Sequence, residues 1–112
     1  MKLIKENKIL LEQVIVTKTF TQKFVGLLNK KRMNPNEGLL IKNCNWIHSF
    51  GMKFNFDAIF LDKHNKIVCI IENIKPNKIM PIIFKAKNVL ETKQGFAKDH
   101  NLKPKDKLEL SR

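Results

Sequence analysis

From Phe54 to Leu61 the chain reads Phe-Asn-Phe-Asp-Ala-Ile-Phe-Leu, apolar on both alternating faces except at Asn55 and Asp57, which predicts an interior strand. Asp62-Lys-His-Asn-Lys66 then predicts a turn, with Asn65 where a left-handed backbone is tolerated. Lys66 to Ile74, carrying Val68, Cys69, Ile70 and Ile71, returns as the second strand of this hairpin. Upstream, Met1 to Lys5 and the Ile/Leu/Val-rich run Lys8 to Thr17 flank a polar turn at Glu6-Asn7 and read as another hairpin. Thr19 and Gln22 have the spacing of a capping box, and Phe20, Phe24, Leu27 and Leu28 fall on one face of an amphipathic helix over 20–29.

The loop around Pro35 leads to a short strand from Gly38 to Ile41, and Trp46 to Phe50 reads as extended, with Gly51 bending the chain. Pro76 and Pro81 bracket a connection into an extended run from Ile82 to Thr92. One or two helical turns follow over 94–101, and Lys107 to Leu110 closes as a last strand. This order predicts a mainly β (α+β) fold. The expected form is a small antiparallel, partly closed β-barrel or sandwich with one or two short helices, built as one domain over 1–112.

Composition changes this picture little. An apolar fraction of 43% with 29% charged residues is ordinary for a globular chain, and disorder is not expected. The N-terminal stretch carries charges every few residues, unlike a signal peptide, and no run approaches the roughly 20 apolar residues of a membrane-spanning helix, so a cytoplasmic location is expected. Cys44 and Cys69 are too few for a disulfide framework and read as buried, reduced thiols.

The formal charge of +12 points toward polyanions such as nucleic acid or an acidic membrane surface. Only Arg32 and Arg112 among the 22 basic residues are arginine, the side chain whose planar fork reads phosphate and guanine. The charge therefore supports weak, salt-sensitive adhesion to nucleic acid better than specific readout.

A carboxylate in a buried strand must accept several hydrogen bonds, so Asp57 is expected to tie a loop to the sheet, with the Trp46–Met52 segment the nearest candidate. His48 and Ser49 are neighbours in an extended segment and point to opposite faces, which disfavours a nucleophile–base dyad. His48 with Asp57 is the more coherent catalytic pair, because a carboxylate can orient an imidazole, but no complete catalytic set accompanies them. Cys44-x-x-x-His48 is a lone ligand-like pair, and no metal site or cofactor is expected. Phe54, Phe56 and Phe60 share one strand face and read as core rather than as a base-stacking platform. Trp46, His48, Ser49, Met52 and Asp57 remain as candidate ligand-binding residues, a mixture of aromatic, flexible and polar groups that suits binding without chemistry.

The series Thr19-x-x-Gln22, Gly26-Leu27-Leu28, Gly38-Leu39-Leu40, His48-Ser-Phe-Gly-Met52, Asp57-x-x-Phe60-Leu-Asp62, Val68, Val89-Leu90-Glu91, Gly95 and Asp106 resembles the bacterial and archaeal domain of unknown function family 192. The resemblance implies a β-rich fold with a short helix near the N-terminus, and it implies no reaction, cofactor or catalytic residue. Two positions depart from the family pattern: Asn55-Phe56 stands where a proline precedes the acid, and Lys105 where a glycine precedes the late aspartate. The expectation is a non-catalytic ligand- or protein-binding or accessory module. The alternatives are a lysine-rich nucleic-acid-binding protein and a hydrolase-like enzyme using His48 and Asp57.

Overall fold

In the computed structural model, which describes residues 1–17 and 33–112, β1 (Lys2–Lys5) and β2 (Lys8–Leu11) form the expected first hairpin. Glu6 and Asn7 both take positive φ, 51° and 64°, as a two-residue turn matched to strand twist requires. The run up to Thr17 is not one strand. It breaks at Glu12, and β3 (Gln13–Thr17) joins a different sheet, where it pairs in parallel with β4 (Glu37–Ile41). The amphipathic helix expected over 20–29 lies outside the described residues.

β5 (Phe56–Leu61) and β6 (Ile67–Ile74) form the central hairpin, with Asn65 at φ 64° in its turn. β7 (Asn88–Lys93) is shorter than the expected run from Ile82, because 82–87 belongs to a loop. The helical turns predicted over 94–101 condense to α1 (Phe96–Asp99), and β8 (Glu109–Ser111) ends the chain.

These strands make two sheets, a three-stranded one in the order β2-β1-β8 and a five-stranded one in the order β3-β4-β7-β5-β6, with β3–β4 the parallel pair. The sheets do not close on each other, so of the two expected forms the arrangement is sandwich-like rather than a barrel. Because side chains alternate along a strand, the larger sheet feeds two cores. On its first face Leu40, Ile59, Leu61 and Leu90 pack with Leu3, Leu11 and Leu108 of the small sheet and its flanks, and with Phe96 and Ala97 of α1. Gly38 permits the close approach there: a Cβ would lie 2.7 Å from Leu11 Cδ1.

On the second face Leu39, Ile41, Phe56, Ala58, Phe60 and Val89 pack against residues of the connecting segments 42–55 and 75–87, chiefly Ile47, Met52 and Ala86. Phe56 and Phe60 are fully buried there, each contributing about 2 kcal/mol or more through removal of its ring from water. Phe54, expected to share their face, packs half-buried against the same cluster. These two segments thus form a cap over the second face. No helix among the described residues is long and apolar enough to cross a membrane.

Candidate functional site

Asp57 sits on the first face of β5, two residues before Ile59, and is completely buried. Its Oδ1 accepts the Asn73 backbone N–H at 2.9 Å, and its Oδ2 accepts the Gly95 and Ala97 N–H groups, each at 3.1 Å. Both ends of this arrangement are irregular backbone. Between the pairs Phe56–Ile74 and Ala58–Ile71 the β5–β6 register shifts, a bulge in which Asn73 takes φ 55° and its N–H leaves the ladder. Gly95 precedes α1 at φ 90° and offers no side-chain cap, so the carboxylate of a strand satisfies the first donors of the helix.

Asp57 is therefore a tether, as the strand pattern indicated, but it ties down the Gly95–Ala97 turn and the β6 bulge rather than the Trp46–Met52 segment. It makes no hydrogen bond to His48, so the geometry does not bring the expected catalytic pair together.

The Trp46–Met52 segment is organised from below by Ser49, also fully buried. Its N–H donates to the Lys78 carbonyl at 2.8 Å, and its carbonyl accepts from Met52 and Asn77 at 3.1 and 2.9 Å. Its hydroxyl donates to the Lys75 carbonyl at 2.5 Å and accepts the Lys78 N–H at 2.8 Å. With Met80 N–H on the Ile47 carbonyl and Ile83 N–H on the Asn45 carbonyl, segment 45–49 runs antiparallel to 78–83, and His48 lies opposite Ile79.

Alternation then decides which side chains face outward. Ile47 and Ser49 point in, and Trp46, His48 and Phe50 lie on the outer side, His48 edge-on to Trp46 and tilted against Phe50 at ring-centroid distances of 5.6 and 5.0 Å. His48 Nδ1 accepts the Phe50 N–H at 3.2 Å, which places the proton of the neutral ring on Nε2.

Of the five candidate residues, only Trp46 and His48 reach the surface, both half-buried; Ser49, Met52 and Asp57 are interior. The sequence reading passed over the apolar side chains that share their surface. Phe50 is 44% exposed, Ile79 62%, Ile82 50% and Phe84 84%. The period-two alternation of 46, 48 and 50 was the available signal for Phe50, whereas Ile82 and Phe84 look like strand residues until 82–87 is seen to be loop, and Ile79 falls in the connection between Pro76 and Pro81. Glu91 was also missed as a buried group: it faces the second core, in register with Leu39 and Ala58.

Cys44 and Cys69, expected to be buried, are half-buried and not joined in a disulfide; Cys44 Sγ donates to the Trp46 carbonyl at 3.0 Å. Among the described residues no three His, Cys, Asp or Glu side chains converge as a metal site. A depression of about 530 Å³ between Ile4, His64, Lys107 and Leu110, and a smaller one beside Leu10 and His100, involve none of the five candidates.

The fold has counterparts among solved structures. A protein of unknown function from Novosphingobium aromaticivorans DSM 12444 superposes with a TM-score of 0.76 at 21% identity, over 87% of this chain and 74% of its own. A Sinorhizobium meliloti 1021 protein provisionally labelled a transcription regulator superposes with a TM-score of 0.77 at 24% identity, over 96% of this chain and 89% of its own. At these identities the likeness is one of fold. No curated protein matches the chain. The family model of DUF192, described as uncharacterized ACR, matches residues 2–110, nearly the whole sequence, and the chain belongs to that family.

Proposed function

We propose that the protein is a non-catalytic binding or accessory module, one domain acting in the cytoplasm, and that its ligand or protein partner meets the cap at Trp46 and His48. The observation that supports this reading is the division of labour within the cap. Ser49 and Ile47 occupy the interior and fix two paired segments, so that Trp46, His48, Phe50 and Ile79 form a held apolar surface. The polar groups suited to chemistry are occupied instead: the Ser49 hydroxyl by backbone, the Asp57 carboxylate by three N–H donors.

Two measurements test it. Anilinonaphthalene sulfonate, an aromatic anion, should fluoresce on the native protein and weaken in Phe50→Ser and Phe84→Ser; an unchanged signal in both variants would remove the cap as the binding surface. A panel of nitrophenyl esters, phosphoesters and glycosides should show no turnover, and turnover abolished by His48→Ala would replace the module with the hydrolase-like enzyme.

A second reading is electrostatic binding of nucleic acid, favoured by the net charge of +12 and by the label on the Sinorhizobium meliloti structure. It requires affinity for RNA or DNA that falls roughly tenfold to a thousandfold from low to physiological salt. No binding at low salt would eliminate it.

A further inference from the structure

We propose that the cap docks peripherally on bilayers carrying anionic headgroups, with Phe50, Ile79, Ile82 and Phe84 entering the headgroup–acyl boundary and the surrounding lysines meeting lipid phosphates. This inference rests on the reading of the cap as the binding surface. Four of the seven exposed large apolar residues among those described lie in this one cap. Pairing of 45–49 with 78–83 sets Ile79 opposite His48 and brings Ile82 and Phe84 into the segment that runs alongside Asn45 and Trp46, so these side chains cluster in one cap rather than as scattered exceptions.

Charge complements the patch. Segments 42–55 and 75–87 contain Lys42, Lys53, Lys75, Lys78, Lys85 and Lys87, all exposed, and no Asp or Glu. Exposed apolar tips carried on the same two segments as six exposed lysines, with a half-buried Trp, are what an anionic interface recognises: tips leave water, long lysine stems follow, and ammonium groups stay at the phosphates.

The same observations disfavour the competing polyanions. Trp46, His48 and Phe50 pack on one another at interplanar angles of 61° and 39°, not as separate faces for successive bases, and the isoleucines gain nothing from stacking. No arginine lies in either segment. An acidic peptide would favour a receiving groove, whereas Phe84, 84% exposed, and Ile79, 62% exposed, stand clear of their neighbours in a form that inserts.

Trp46 is the sole tryptophan and the chain has no tyrosine, so ultraviolet emission reports this surface alone. The full chain is mixed with vesicles of phosphatidylcholine, or of equal parts phosphatidylcholine and phosphatidylglycerol, and read by co-sedimentation and Trp46 emission. Binding and a blue shift are expected with the anionic vesicles only. Ile79→Ser with Phe84→Ser should weaken binding about tenfold, and Lys78→Gln with Lys85→Gln by more, at about fivefold per lysine. Lys63→Gln with Lys98→Gln, an equal charge change outside the cap, should leave it within about twofold, and circular dichroism confirms that each variant is folded.

Equal losses from the two lysine pairs without a Trp46 shift would mean diffuse electrostatic adhesion and overturn the proposal. Oligothymidylate or polyglutamate that moves Trp46 where vesicles do not, and loses that effect in the Ile79/Phe84 variant, would overturn lipid docking while keeping the cap as the binding surface. Emission unmoved by all three probes would remove both.

Discussion

Replacing Asp57 by asparagine keeps the volume of the side chain and removes one acceptor. The remaining amide oxygen can take the Oδ2 position and accept from Gly95 and Ala97, but the NH2 group then faces the Asn73 N–H, donor against donor. Hydrogen bonds to an ionised acceptor contribute about 1.5–3 kcal/mol each, and an unsatisfied buried donor costs a similar amount. Asn73 lies near solvent and water recovers part of its loss, so Asp57→Asn should destabilise by about 2 kcal/mol.

Asp57→Ala also strands the Gly95 N–H and the Ala97 N–H, the latter the most deeply buried of the three donors, and should cost about 3–4 kcal/mol or more. Urea unfolding followed by Trp46 emission and circular dichroism measures both, and the asparagine variant should shift the midpoint by roughly 1 M. Hydrogen exchange gives a local readout, with protection falling first at residues 73, 95 and 97. An asparagine variant within about 0.5 kcal/mol of wild type, with unchanged exchange at those amides, would refute the tether.

Lys105 takes φ 80°, a left-handed conformation that is unfavourable for a side chain and that glycine adopts freely. Lys105→Gly should therefore stabilise the protein by about 0.5 kcal/mol, relief of the conformation exceeding the added freedom of the unfolded chain, and a lower thermal midpoint would contradict this. The Asp106 carboxyl is held below the usual carboxylate range, chiefly by the Lys5 ammonium at 2.9 Å and further by the Lys103 N–H; that of Asp62 is lowered chiefly by the Lys66 N–H. A carboxyl depressed on folding stabilises above its unfolded pKa of about 4 and loses that contribution as pH falls through its folded value, so the unfolding midpoint should drop on acidification below about pH 4. Asp106→Asn should lower stability at neutral pH and flatten that slope, and an unaltered slope would exclude Asp106 as a source.

Local turns were legible in the sequence because each carries its own chemistry: Glu6-Asn7 and Asn65 mark backbone that only certain residues tolerate, and both hairpins formed around them. Long-range choices were not. Nothing near Glu12 announces that β3 leaves its hairpin to lie parallel to β4, since parallel pairing depends on a partner some twenty residues away. The run from Ile82 has the composition of a strand, yet Ile83 N–H bonds the Asn45 carbonyl and Ala86 N–H the Ile83 carbonyl, so the segment caps the sheet until Lys87 N–H reaches the Leu61 carbonyl and β7 begins. At the candidate site, the burial of Asp57 was readable from its neighbours, but its partners were not, because three backbone N–H groups have no side-chain signature.

The reason for an acid at this point in a core follows from those partners. A regular strand satisfies its own donors through its neighbours, and an apolar residue would be the cheaper occupant. Here a bulge in β6 and a left-handed entry to α1 leave donors pointing into the same small space from two directions. One carboxylate, with lone pairs on both oxygens, can collect all three; an amide or hydroxyl lacks the acceptors. Ser49 solves the corresponding problem beneath the cap, where the backbone of 75–78 presents both a carbonyl and an N–H, and a hydroxyl is the small group that serves both. The two polar side chains that first looked like chemistry are thus selected by irregular backbone, and by fixing it they leave an outward surface of rings, isoleucines and lysines, which the proposed docking would read through apolar contact and charge.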